Sequence, residues 1–204
     1  MATEAPKPKR KRRWFRFSLR TFVVVLTVFC VWLGLLVYRV NKQREVVQWV
    51  NDNGGLVLYD CEWDNGWIDG AEPPRPEWLC DLIGIDYFAD IVGVGFVGGE
   101  VKHIEPLGNL KQLQWLSLDR TNVSDLGPLR ELTQLKKLFL GRSQVSDLGP
   151  LRGLSQLQQL NLNGTPVSDL SPLVKMKNVR IYLGRDQQVT VPEELKDRVT
   201  RFFR

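Results

Sequence analysis

Catalytic chemistry has little to work with in this sequence. Its 204 residues hold one histidine, three cysteines and two methionines. No GxSxG, HExxH, P-loop or GxGxxG pattern stands in the context its chemistry requires. The run "GVGFVGG" at 93–99 has no helix after it, so its glycines are read as easing packing at a strand rather than cradling phosphate. A zinc site assembled from Cys61, Cys80 and His103 lacks the close ligand pairs of known zinc motifs. No catalytic residue, metal or cofactor is assigned, and an enzyme is the least favoured class.

Acid is scarce at the start. Residues 1–20 carry eight Lys or Arg against Glu4, about +7, which leaves about −2 for the remainder. The segment "KPKRKRRWFRF" interleaves cations with aromatics, as single-strand nucleic-acid binders do. The adjoining apolar run gives those cations a sufficient role, so no nucleic-acid partner is assigned. "FVVVLTVFCVWLGLLVY", 22–38, is uncharged, and its roughly 17 residues make ~25 Å of helix, enough to span a bilayer core. A buried core helix would show a polar face, and only Thr27 and Gly34 interrupt this one. The excess of cations before the span places the N-terminus in the cytoplasm and residues 39–204 outside. A cleavable signal peptide shares this layout, but "LLVYRVNKQ" offers no small-residue cleavage site, which favours an uncleaved signal anchor in the cell membrane.

Beyond the span the chain repeats itself. "SDLGPL" occurs at 124–129 and 146–151, and "SDLSPL" at 168–173, a period of about 22. Each unit reads LxxLxxLxxLxL, then Thr or Ser, then Val, then SDLxP. Ile85, Phe88, Ile91, Val94, Phe96, Val101, Ile104 and Pro106 fall one period earlier and form a degenerate first repeat. The alternation predicts a strand with Leu116 and Leu118 inward and Trp115, Ser117 and Asp119 outward. Val123, Leu126, Leu129, Leu132 and Leu135, spaced by three, fit short helical turns on the return path. Ser124 and Asp125, with their equivalents, are expected to cap those turns, and Thr121, Ser143 and Thr165 to bond backbone groups. His103 falls at the corner place of Asp125.

The 22-residue unit with its "SDLGPL" corner resembles the internalin-type class of bacterial leucine-rich repeats. "RFSLRTFVVVLTVFCVWLG", followed by "GGLVLYD", "PRPEWL" and "DYFADIVGV", resembles the membrane-anchored leucine-rich repeat proteins of planctomycete-type bacteria. These resemblances imply a solenoid, an anchor and protein binding. The expected fold class is thus an α/β leucine-rich repeat solenoid, a short parallel sheet on its concave side and 3-10 turns on its convex side. An α/β N-terminal cap and one transmembrane helix precede it. The expected divisions are a basic tail 1–20, a membrane helix 21–39, a cap 40–84, repeats 85–183 and a C-terminal cap helix 184–204.

In the front cap, Val46, Val47 and Val50 share a helical face, Gly54 and Gly55 stop the helix, and "LVLYD" reads as a strand. A Gly/Pro-rich loop and a short helix around "PEWLCDLIG" come next, and Trp49, Trp63, Trp67 and Trp78 supply a cap core. Cys61 and Cys80 either pair, closing a loop of about 20 residues, or stay two separately buried thiols. At the back the period fails where Gly184 meets the place of an inward leucine, and "VPEELKDRVTRFFR" reads as an amphipathic helix over the last repeat, with Leu195, Val199 and Phe202 on one side. The concave columns are Trp115, Lys137 and Gln159; Ser117, Phe139 and Asn161; then Asp119, Gly141 and Asn163. Outward Trp115 and Phe139 among polar neighbours mark the candidate surface for a protein partner. The alternative is a structural spacer or scaffold of the cell envelope.

Overall fold

The computed structural model describes residues 19–60, 89–96 and 98–201. Cys61, Cys80, Trp63, Trp67, Trp78, Ile85, Phe88 and the predicted helix around 76–84 lie outside the described residues. The chain divides between Tyr38 and Arg39 into two units. Helix α1, Leu19–Asp52, contributes to both. In the first unit its side chains from Phe22 to Tyr38 are exposed, except for a partly buried Leu36. Apolar residues cover every side, so no polar face marks it as a soluble-core helix, and it is long and apolar enough to cross a membrane.

In the second unit α1 becomes amphipathic. Of the three valines the spacing names, Val46 and Val50 are buried and Val47 is partly buried, and Val40 joins them in the interior. Gln43 Nε2 donates to the Ala89 carbonyl at 2.9 Å, and Arg39 pairs with Asp90. Gly54, at φ 68°, stops the helix in the left-handed region. Gly55 then lets strand β1, Gly55–Tyr59, pass close to the helix, because a Cβ there would stand 2.6 Å from Val50 Cγ1. Trp49 packs edge-on against Phe96, with ring centroids 5.6 Å apart, beside this crossing.

β1 pairs antiparallel with β2, Ile91–Phe96. From β2 onward every pairing is parallel: β3 Trp115–Ser117, β4 Lys137–Phe139, β5 Gln159–Asn161, β6 Arg180–Leu183 and β7 Val199–Arg201. The seven strands lie in one sheet in sequence order, each new strand added by one coil of the chain. The return path carries 3-10 turns at Glu105–Asn109, Gly127–Glu131, Gly149–Gly153 and Ser171–Leu173. Leu107, Leu129, Leu151 and Leu173 stack there, facing Leu116, Leu138 and Leu160 from the sheet, all without solvent exposure. One coil could not shield these leucines alone, whereas stacked coils share one continuous core.

The repeated corner is held by aspartate alone. The Gly127, Gly149 and Ser171 N–H groups donate to Asp125, Asp147 and Asp169 Oδ1 at 2.7, 2.7 and 2.8 Å. Each is a turn closed two residues on, not a helix cap, because a leucine, Leu126, Leu148 or Leu170, holds the cap place and the aspartate stands one residue before it. The exposed Ser124, Ser146 and Ser168 hydroxyls make no cap bond to the turns that follow, so the cap expected of them is absent. Thr121 and Thr165 hydroxyls donate to the Leu118 and Leu162 carbonyls at 2.7 and 2.8 Å. Ser143, equally buried, leaves Oγ without a partner among the described residues. It lacks the methyl that fixes the threonine rotamer.

The back end differs from the sequence expectation twice. β5 registers Leu160 against Ile181 and Asn161 against Tyr182. The last coil is therefore one residue shorter, Leu183 takes the inward place, and the period survives through a deletion between Val179 and Ile181. The expected C-terminal helix is instead a 3-10 turn, Glu193–Arg198, followed by β7. Leu195 is the one fully buried residue of that turn. After it the chain extends because β6 would otherwise present an open edge of N–H and C=O groups. Arg198 donates to the Met176 carbonyl, and Gln187 Nε2 to Thr165 O at 2.9 Å, so side chains supply bonds that a further coil would have made.

Candidate binding surface on the concave face

The parallel ladder fixes which residues share a column on the outer face of the sheet. The first column runs Leu58, Gly93, Trp115, Lys137, Gln159 and Arg180. The second runs Leu56, Gly95, Ser117, Phe139, Asn161, Tyr182 and Thr200. Beyond the strands Asp119, Gly141, Asn163 and Gly184 continue a third. The structure thus brings all eight sequence-named candidates, Trp115, Ser117, Asp119, Lys137, Phe139, Gln159, Asn161 and Asn163, onto one face, each partly buried.

Three side chains on this face lie over glycines of an adjoining coil. A Cβ on Gly95 would stand 2.6 Å from Trp115 Cη2, and one on Gly93 3.2 Å from Trp115 Cε3. The indole therefore rests across β2, and the "GVG" glycines provide its bed. Asp119 repeats the device: its Oδ1 accepts the Gly141 N–H at 2.5 Å and would lie 2.8 Å from a Cβ there. Asn163 Oδ1 would likewise lie 2.6 Å from a Cβ on Gly184, although the Gly184 N–H donates to Gln187 Oε1 at 3.3 Å. These three side chains are fixed by the scaffold as well as displayed by it.

Phe139 lies diagonal to Trp115 on the neighbouring strand, with ring centroids 6.4 Å apart and planes tilted by 56°. Leu56 and Leu58 of β1 extend the same patch, and Leu56 is 36% exposed. The sequence columns began at β3 and so omitted both leucines; the alternation in "GLVLYD" carried the signal. Arg180 and Tyr182 were also missed, because a strict 22-residue step from Gln159 and Asn161 lands one residue late. Beside the second half of the face, Ser155, Gln156, Gln158, Gln159, Asn178 and Arg180 line an open cleft of about 500 Å³.

Electrostatically the face is lopsided. Asp119 is the one carboxylate in these columns, and burial raises its carboxyl above the usual aspartate range, opposed by the Gly141 N–H and the Arg120 charge. On the outside of the coils, Lys111 bonds Glu131 at 2.6 Å and holds that carboxyl below its usual range. Serine bonds lower Asp169 likewise. His103 sits on the convex side, 3.6 Å from Glu105. Among the described residues no group of three or more His, Cys, Asp or Glu is placed to hold a metal ion.

Residues 133–175 match the family model described as leucine-rich repeats in two copies. This is a leucine-rich repeat solenoid. Among solved structures, the chain is similar to internalin C2 of Listeria monocytogenes, at 34% identity and a TM-score of 0.47, over 50% of this chain and 48% of that one. It is also similar to an internalin, inlF, of the same organism, at 27% identity and 0.46, over 53% and 33%. The chain spans about half the length of the first and a third of the second. A search of curated proteins finds no match. As a leucine-rich repeat solenoid, the molecule is a scaffold whose stacked strands make one extended surface.

Proposed function

We propose that the chain is a non-enzymatic, single-pass membrane protein whose solenoid presents a protein-binding surface outside the cytoplasm. The observation that carries this reading is the apolar patch of Leu56, Leu58, Trp115 and Phe139, partly exposed on a face that is otherwise polar. Anchoring rests on the uncharged stretch 22–38, exposed all round its helix, and on the eight cations before it. This division assigns 1–20 to a cytoplasmic tail, 21–39 to the membrane and the rest to the outer domain, in line with the resemblance to planctomycete-type anchored repeat proteins.

The test uses the full chain in its membrane. Phe139→Ala, alone and with Trp115→Ala, should weaken capture of the partner by tenfold or more, given that interface aromatics contribute about 2 kcal/mol or more when central. Unchanged capture by a folded double variant would remove the concave face from the account. Protease added from outside should digest the repeats and spare the tail; the reverse digestion would invert the topology. One observation favours a second reading, an envelope spacer: Trp115 already serves as a cover over Gly93 and Gly95. In that case the Phe139 variant would be silent and a contact would map to the convex side.

A further inference from the structure

Three successive coils put an aspartate at the convex corner, Asp125, Asp147 and Asp169, where it bonds backbone N–H, and the turns after the first two carry Arg130 and Arg152. The strand face carries Lys137 and Arg180, with Lys136 at the strand entry. Arg120 and Arg142, both at φ 59°, occupy the turn at the strand exit. Against them stands Asp119, with one oxygen already taken by Gly141. Arg180 is exposed, makes no ion pair among the described residues, and stands in the cleft with Gln156, Gln158, Gln159 and Asn178. A guanidinium among carboxamide and hydroxyl donors, with no acid in the lining, is the donor set a carboxylate requires.

Resting on the concave-face reading above, we propose that the partner is an extended acidic peptide that crosses the strands. It sets an apolar side chain on the Leu56, Trp115 and Phe139 patch and a carboxylate at Arg180. Phe139 on β4 and Arg180 on β6 are two strand steps apart, ~10 Å, which an extended peptide covers in about three residues. Trp115 on β3 adds a step, and about four residues then separate anchor from acid. Aliphatic Leu56 and Leu58 suit a side-chain pocket better than a base-stacking platform, which sets a peptide ahead of a nucleic acid.

The experiment measures fluorescence anisotropy of labelled Gly/Ser-background peptides on the full chain in nonionic detergent. Each peptide carries one tryptophan and, at spacings of one to seven residues, one glutamate. Binding should peak at a spacing of three to four, weaken about tenfold when glutamate becomes glutamine, and weaken further for lysine. Arg180→Gln should abolish the preference for glutamate while the tryptophan dependence stays; Lys137→Gln should lower both affinity and its salt sensitivity. Equal binding of the glutamate, glutamine and lysine peptides, with Phe139→Ala still harmful, would overturn the acidic partner and leave the concave surface standing. Peptide binding that ignores Phe139→Ala, or no tryptophan-dependent binding at all, would overturn both. Tighter binding of an oligothymidine than of any peptide would replace the polypeptide with a nucleic acid.

Discussion

The convex corner and the concave floor are built by the same coil, yet one is uniform and the other is not. Position by position the corner reads Asp125, Asp147 and Asp169, then Leu126, Leu148 and Leu170, then Pro128, Pro150 and Pro172. The floor reads Trp115, Lys137, Gln159 and Arg180 in one column and Ser117, Phe139, Asn161 and Tyr182 in the next. Where every coil repeats a residue, that residue has a mechanical role in closing a turn, filling the core or fixing a bend. Where the residues vary, the fold asks only that the backbone pair. The feature that declares the architecture is therefore separate from the surface proposed to act.

The strongest way to break this comparison is within a single strand. Leu138 points into the core with no exposure, between Lys137 and Phe139 on the floor. Leu138→Ala should cost about 2–5 kcal/mol in thermal or denaturant unfolding. Lys137→Ala should cost no more than about 0.5 kcal/mol. Similar losses at the two positions would mean that the floor is structural after all. A smaller effect is expected at the corner. Asp147→Ala removes the bond to the Gly149 N–H and should cost about 1 kcal/mol while partner capture is unchanged; a loss of capture without a loss of stability would make the corner a contact.

How much of this was legible depends on the kind of signal. The leucine columns, the corner and the front cap helix ending at Gly54 follow from spacing and from residue chemistry, and each stands where the spacing puts it. The C-terminal strand did not follow, since Glu193, Glu194, Lys196 and Arg198 carry the charge order of a helix. What decides that segment is the open edge of β6, a partner far away in the sequence. Arg180 and Tyr182 were hidden by one deleted residue. The bed of Trp115 was hidden because it depends on where an indole lies across another coil. The apolar helix and the eight named floor residues were legible in position, and their function is what the experiments must supply.

The smallest effect concerns Asp119, which belongs to the floor but is tied to the scaffold. Burial raises its pKa, so the fold favours the protonated form, and the charge costs stability as pH rises through the native value. Asp119→Asn keeps an oxygen for the Gly141 N–H, and Asn163 already fills the equivalent place over Gly184. The variant should be slightly more stable at pH 7, by less than about 1 kcal/mol for a partly hydrated group, and the gap should close below about pH 4. A gap that widens in acid would reverse the sign of the burial effect.

The most direct measurement places a photocrosslinking side chain at Gln159 on the floor or at Ser146 on the corner, in the full chain in its own membrane. Both positions lie in neighbouring coils and neither is part of the buried core. Adducts at 159 that fall with Phe139→Ala, and none at 146, are the predicted result. Adducts at 146 with none at 159 would contradict the account.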